Sequence, residues 1–252
     1  MQVVYEDNHI IIVSKQSGEI VQGDKTGDEP LSETVKQYLK EKYQKPGAVF
    51  LGVVHRLDRP VAGLVVFART SKALTRLNKM FAEGQVHKTY WAIVENERLE
   101  MRSESSENSH SSFLIPHSSF NELTHWLVRN EKQNKSYAYN REVPHSKKAM
   151  LRYRLLSRGD RYLLLEVQLM TGRHHQIRCQ LAKMGMPIKG DLKYGARRSN
   201  PDGSISLLSR RVEFIHPVSK RQIAVEAPLP EDDNLWRQLS HEAFGHLPLN
   251  GK

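Results

Sequence analysis

The chain has 252 residues, 38% of them hydrophobic and 26% charged, which is enough to bury a sizeable core and excludes wholesale disorder. Lys and Arg outnumber Asp and Glu by 38 to 28, and a net charge of +10 favours a polyanionic partner. The single cysteine, Cys179, excludes an intrachain disulfide and a cysteine-rich zinc site, and no apolar run reaches the roughly 18 residues a membrane helix needs, so a cytoplasmic protein with no membrane partner is expected.

In chain order, Val3 to Glu6 and Ile10 to Ser14 read as β-branched strands around the turn at Asp7-Asn8. Ser32 to Tyr43 carries Val35 and Leu39 four residues apart and starts after Pro30, which predicts a helix. Val53 to His55 and Leu64 to Ala68 look like buried strands. Ser71 to Ala82 places Leu74, Leu77 and Phe81 on one helical face, with Gly84 as C-cap. Lys88 to Glu95 returns to strand. Residues 103–119, of which eight are Ser, have no periodicity and read as a surface insertion.

Order resumes near Thr124, and Ala149 to Leu156 with Arg161 to Leu169 form a hairpin across Arg158-Gly159-Asp160. Residues 174–184 read as a helix with Ile177, Leu181 and Met184 as its buried stripe, ended by Gly185. Arg211 to His216 and Arg221 to Glu226 are the last two strands. Hairpins with interspersed helices predict an α+β fold with a mixed, largely antiparallel β-sheet flanked by helices. One domain over residues 1–235 is expected, followed by a polar tail, 236–252.

The positive charge is clustered. Residues 54–90 hold seven Lys or Arg against two acids, and residues 171–198 hold seven against Asp191. Solvated helix faces produce such runs too.

Three segments can carry chemistry. His55-Arg56-Leu57-Asp58-Arg59-Pro60 sets an acid between two arginines in a loop bounded by Pro60 and Gly63. Neighbouring cations favour an ionised Asp58, fit to act as nucleophile or general base; a structural Arg-Asp pair capping a turn satisfies the same residues. Thr171-Gly172-Arg173-His174-His175-Gln176-Ile177-Arg178 opens a helix, where free amides and Arg173 favour a phosphate, and Arg178 falls at the edge of the buried stripe. His175 and Cys179 lack further ligands at metal spacing, so no metal is expected. In His87-Lys88-Thr89-Tyr90-Trp91-Ala92, strand alternation puts Lys88 and Tyr90 on one face, and Tyr90 is either a ring for base stacking or a core tyrosine. No GxxxxGK[ST], GxGxxG, HExxH or GxSxG is present, which removes support for nucleotide hydrolysis, dinucleotide redox chemistry, zinc proteolysis and the common serine hydrolases.

Taken together, VVYEDNHIIIVSKQSGEIV, HRLDRPVAGLVVFART, HKTYWAIV and TGRHHQIRCQLAKMGMPIKGDLKYG resemble, in order and spacing, the RNA pseudouridine synthases of the RluA type. The resemblance runs from Val3 to about Pro230. It implies that Asp58 is the catalytic aspartate, Tyr90 the active-site tyrosine and Arg178 the arginine paired with Asp58. Arg56, Arg59, Lys88, Arg173, His174, His175, Lys189 and Lys193 would face RNA, either ribosomal or transfer. Val61-Ala62, where relatives often carry Thr-Ser, and the Ser-rich insertion depart from the pattern. With the first family strand at Val3, no S4-type domain is expected.

The implied reaction isomerises uridine to pseudouridine without redox change, so no cofactor is expected, nor any obligate protein partner; a monomer is expected. The base must leave its stack at a cost of a few kcal/mol, with cations holding the phosphates. Two other classes remain open: a non-catalytic RNA-binding protein, and an RNA-cleaving enzyme with His174 and His175 as acid and base.

Overall fold

The computed structural model describes residues 1–95, 119–231 and 233–244. The insertion expected at 103–119 lies outside the described residues except for Ser119. The stretch read as one domain divides into two compact units, residues 1–88 with 208–228, and residues 89–207 with 229 onward. Both are α+β, and their strands are mostly antiparallel.

In the first unit, β1 (Gln2–Glu6) and β2 (Ile10–Lys15) pair antiparallel, and β2 pairs with β4 (Ala62–Ala68). β2 is buried at every position, which is why it opens with the apolar run Ile10 to Val13 instead of an alternation, before Ser14 and Lys15 close it. The other edge of β4 is shared: the two-residue β3 (Gly52–Val53) pairs with its far end, and β10 (Leu207–Ile215) runs parallel to its start. Gly63 is required there. Its φ is +113°, and a Cβ would lie 2.4 Å from the Ser209 carbonyl oxygen. β11 (Gln222–Glu226) completes the sheet against β10.

Helices α1 (Leu31–Lys42) and α2 (Ser71–Ala82) cover this sheet, the first through Leu31, Val35 and Leu39. The Thr70 hydroxyl accepts the Ala73 amide as N-cap of α2. The buried stripe of α2 is Ala73, Leu77 and Met80, whereas Leu74 and Phe81 are half-buried. Those two cover the loop beside the sheet instead: a Cβ on Gly52 would meet the Leu74 side chain at 2.7 Å, and Phe81 stacks on His55.

The second unit is an antiparallel sheet in the order β5 (His87–Glu95), β9 (Tyr162–Leu169), β8 (Lys147–Arg158), β6 (Asn121–Asn130), β7 (Lys135–Tyr139). The β6–β7 hairpin is a pair of strands the sequence reading does not place. Helix α3 (Gln176–Lys183) lies on one face, where Cys179 and Tyr194 pack with Leu127 and Ala149. Residues 176–181 are all buried, and Met184 is 39% exposed, so the expected Ile177-Leu181-Met184 stripe is corrected. Polar pairing makes this possible: Gln176 accepts from Thr171 and the Arg173 amide, and Gln180 donates to the Ala149 carbonyl.

Residues 236–244 of the expected tail belong to helix α4 (Asn234–Phe244), which buries Trp236 and Leu239 and stacks Phe244 on Trp91 of β5. Apolar positions at 236, 239 and 243 carry the helical period that the tail reading overlooks.

Candidate functional site

In the first unit, Asp58 begins a tight turn in which the Val61 amide donates to the Asp58 carbonyl at 3.0 Å. The turn is braced from below by Lys15, which has no exposed surface. Its Nζ donates to the carbonyls of Gln16, Arg59 and Val61 at 2.9, 3.1 and 2.7 Å. Burial pushes the Lys15 ammonium down to about 8, while Glu19 and Asp58 work against that shift. Sequence reasoning missed Lys15. Its only signal is a lysine closing a strand that opens with four apolar residues.

His55 does related work at the entrance to the loop. β3 stops at Val53, paired with Phe67. His55 Nε2 then accepts the Val66 amide at 2.9 Å, so a side chain replaces the carbonyl that a longer β3 would supply. Burial, reinforced by the positive charge of Lys88, pushes the imidazole down to about 3 and keeps it neutral.

Of the arginines flanking Asp58, Arg56 is exposed, while Arg59 donates to Asp28 at 2.6 Å and to the Thr26 hydroxyl at 2.8 Å, tying the turn to the 24–28 loop. The nucleic-acid contact expected of Arg59 therefore competes with an internal partner. Lys88 is half-buried, its ammonium 5.5 Å from the Phe81 ring.

In the second unit, Tyr90 is buried and pairs with Val167, sharing a sheet face with Tyr153. Arg178, expected at the edge of the buried stripe, is buried. Its Nε and Nη2 donate to the two carboxylate oxygens of Asp191 at 2.7 and 2.9 Å, with side-chain exposures of 6% and 1%. Its guanidinium lies 5.1 Å from the Tyr194 ring. Nε and Nη2 thus hold Asp191, a residue the sequence reading left without a role.

The two histidines at the helix start also have internal partners. Tyr194 OH accepts the Ser136 amide at 2.8 Å and shares a hydrogen bond with His175 Nδ1 at 2.9 Å. His175, in the left-handed region at φ 52°, is buried, and burial together with Arg178 pushes it down to about 2. His174 stacks on His175 at 3.8 Å and shares a hydrogen bond with Ser136 Oγ. With its ring buried, His175 offers little surface to the nucleic acid expected to meet it or to the acid–base pair of the RNA-cleaving reading. Burial raises the Cys179 thiol to about 12, which removes it as a thiolate. Among the described residues no group of three or more His, Cys, Asp or Glu is placed to hold a metal ion.

Of the remaining cations, Arg173 is exposed, its Nε on the Lys148 carbonyl, and Lys193 is exposed with Nζ on the Asn134 carbonyl. Lys189 is bound internally by Asp233 and Asn200, at 2.9 and 2.8 Å. No helix among the described residues is long and apolar enough to cross a membrane.

Residues 9–183 match the family model described as RNA pseudouridylate synthase. The chain is 28% identical over 239 residues to the ribosomal large subunit pseudouridine synthase C of Vibrio cholerae, covering 90% of this chain and 65% of that protein. It is 30% identical over 246 residues to the ribosomal large subunit pseudouridine synthase D of Xylella fastidiosa, covering 92% and 67%. The chain therefore spans about two thirds of the length of these relatives. Its fold is similar to that of human RNA pseudouridylate synthase domain containing 4, with a TM-score of 0.71 and 20% identity over 96% of this chain and 92% of that one.

Proposed function

The chain belongs to the RNA pseudouridylate synthase family, and from that premise we propose that it isomerises uridine to pseudouridine in structured RNA, with Asp58 as the essential carboxylate. The observation that carries this reading is the Asp58 turn. Lys15 and His55 fix it through main-chain atoms, so the scaffold they provide does not depend on the carboxylate they present.

The chemistry needs little else. The N1–C1′ bond breaks, the uracil turns, C5 bonds to C1′, and the proton lost from C5 is balanced by one gained at N1. Tyr90 is assigned to stack on the turned uracil and assist removal of the C5 proton. Arg178 is assigned to orient an ionised carboxylate, a task its fixed fork geometry suits and a lysine does not. The exposed Arg56, Arg173 and Lys193, with Lys88, are assigned to phosphates. The substrate class is ribosomal or transfer RNA, met by a cytoplasmic monomer.

The test is complementation of a deletion strain, with pseudouridines mapped across its ribosomal and transfer RNA. The wild-type chain restores at least one missing pseudouridine, and Asp58→Asn, folded and RNA-binding, restores none. Restoration by Asp58→Asn overturns the reading. Binding should also weaken steeply with salt, and Arg173→Ala should lower the slope of log K against log salt by about one.

A further inference from the structure

Cross-strand partners in a sheet point to the same face, so the register of the second unit sorts its side chains. Tyr90, Val167, Tyr153, Leu127 and Ala138 lie on the face covered by α3. The opposite face carries Tyr139 opposite Trp126 and Trp126 opposite Lys148, a row of three across β7, β6 and β8. Beside it stand Tyr137, opposite Val128, and Met150, opposite Thr124. Helix α4 occupies this face only at its far end, where Phe244 covers Trp91 and Glu242 accepts from Ser157. Tyr137 and Tyr139 remain 39% and 42% exposed.

A solvent-facing row of aromatic rings on an antiparallel sheet is costly to leave bare, and its surroundings indicate what covers it. Residues 119–158 hold nine Lys or Arg against three acids. Lys135 reaches the Tyr137 ring at 5.6 Å, and Arg152 reaches the Phe120 ring at 4.8 Å. The Tyr137 hydroxyl donates to Gln133, which fixes the plane of its ring. Rings spaced along a strand at alternate residues, among cations and with few acids, suit a chain of planar bases joined by phosphates. An apolar protein partner or a second copy of this basic chain has no matching charge to offer.

We propose that the β7–β6–β8 face of the second unit, centred on Tyr139, Trp126, Tyr137 and Lys148, is a stacking platform for a single-stranded segment of RNA lying outside the reacting nucleotide. The proposal rests on the RNA-modifying reading of the chain and adds where a flanking strand is held. β7 is the edge strand of this sheet, and Lys135 spans that edge, 5.1 Å from the Tyr194 ring that faces α3. A strand can therefore pass around the edge from one face to the other.

The probe is a fluorescein-labelled 12-nucleotide oligocytidine, which contains no uridine and cannot be a substrate. With the full chain, Tyr137→Leu/Tyr139→Leu is expected to weaken binding at least 10-fold at near-physiological salt, the scale of one or two lost stacking contacts, with an unchanged salt slope. Tyr137→Phe/Tyr139→Phe keeps the rings and should bind within about threefold of wild type, and Lys148→Ala should shallow the salt slope. Wild-type affinity in the folded Leu pair overturns the platform. So does a dimer of the wild-type chain that the Leu pair dissociates, because the face would then join two copies. If Asp58→Asn abolishes pseudouridine formation while the Leu pair binds normally, this inference alone fails. If the Leu pair loses oligocytidine while the wild-type chain makes no pseudouridine, the platform stands and the enzymatic reading fails.

Discussion

The Asp58 turn in the first unit and the Arg178 helix in the second each hold charged groups away from water, and they do so by opposite means. Around Asp58 the buried contacts of Lys15 and His55 end on main-chain atoms, three carbonyls and one amide, and only the outer tie of Arg59 to Asp28 and Thr26 runs between side chains. Around Arg178 they end on side chains, Asp191 for the guanidinium and Tyr194 for His175. A turn fixed through its main chain keeps its shape whichever side chain it carries. A cluster fixed through side chains loses its shape when one member is removed. The carboxylate on which chemistry is proposed to depend stands in the first kind of environment.

The largest effect expected from breaking this contrast is at Asp191. Asp191→Ala removes the carboxylate that takes Nε and Nη2 of a buried guanidinium, and removing one partner of a buried ion pair costs about 3–5 kcal/mol. Urea denaturation should show a loss of that size, while Asp58→Asn should stay within about 1 kcal/mol of wild type. Comparable losses at the two acids would erase the distinction. Arg178→Lys keeps the charge and loses the fork, so a ~10-fold or greater fall in turnover is expected, equivalent to at least ~1.4 kcal/mol at the transition state. RNA affinity should change much less. A fall in affinity matching the fall in rate would make Arg178 a phosphate contact.

The same contrast explains how much was legible in the sequence. The strands β2 and β4, helix α2 and the β8–β9 hairpin follow from local apolar spacing and capping, and their bounds shift by at most a few residues. HRLD and GRHHQIR are readable as sites because charge, glycine and proline gather within a few positions. Lys15 and Asp191 were not legible as partners of those sites. Lys15 meets Arg59 and Val61 from 44 and 46 residues away, and Asp191 meets Arg178 across 13. Nothing local in either residue states which distant group it serves. β6 and β7 were missed because their outer face is aromatic and apolar, with Trp126, Val128 and Tyr139 blurring the alternation that marks a half-exposed strand.

A smaller effect is expected at Lys15. Lys15→Met keeps the length of the side chain and removes the ammonium, leaving the carbonyls of Gln16, Arg59 and Val61 without that donor. An unmet buried acceptor costs about 1–3 kcal/mol, reduced where water or a shifted turn replaces the donor. The folded variant should lose turnover beyond its loss of stability, because the turn that presents Asp58 relaxes. Full turnover in Lys15→Met would show that the turn is shaped by its own sequence, and that the main-chain bracing is redundant.

The smallest effect concerns pH, and it reaches both regions through a neutral histidine in each. His55 is held at about 3 and His175 at about 2, against an ordinary 6.5, in each case mainly by burial. Above pH 6.5 both rings are neutral whether the chain is folded or not, and their contribution to stability is fully present. As the pH falls below 6.5 the unfolded chain takes up protons that the folded chain refuses, so stability declines from there toward pH 3. Each histidine adds at most about 1.4 kcal/mol per pH unit to that slope. His55→Gln sets a side-chain oxygen at about the reach of Nε2, where it can accept the Val66 amide without titrating, so it should remove the His55 share of the slope between pH 6 and 4, leaving those of His175, His125 and His216. His175→Asn should remove a similar share of the slope but should cost more stability at neutral pH, because it also disturbs the side-chain cluster around Tyr194 and Arg178. Denaturation midpoints measured across that range for the two variants decide the matter. If His55→Gln costs more than His175→Asn at pH 7, the region fixed through main-chain contacts is the more fragile of the two, and the contrast between them is reversed.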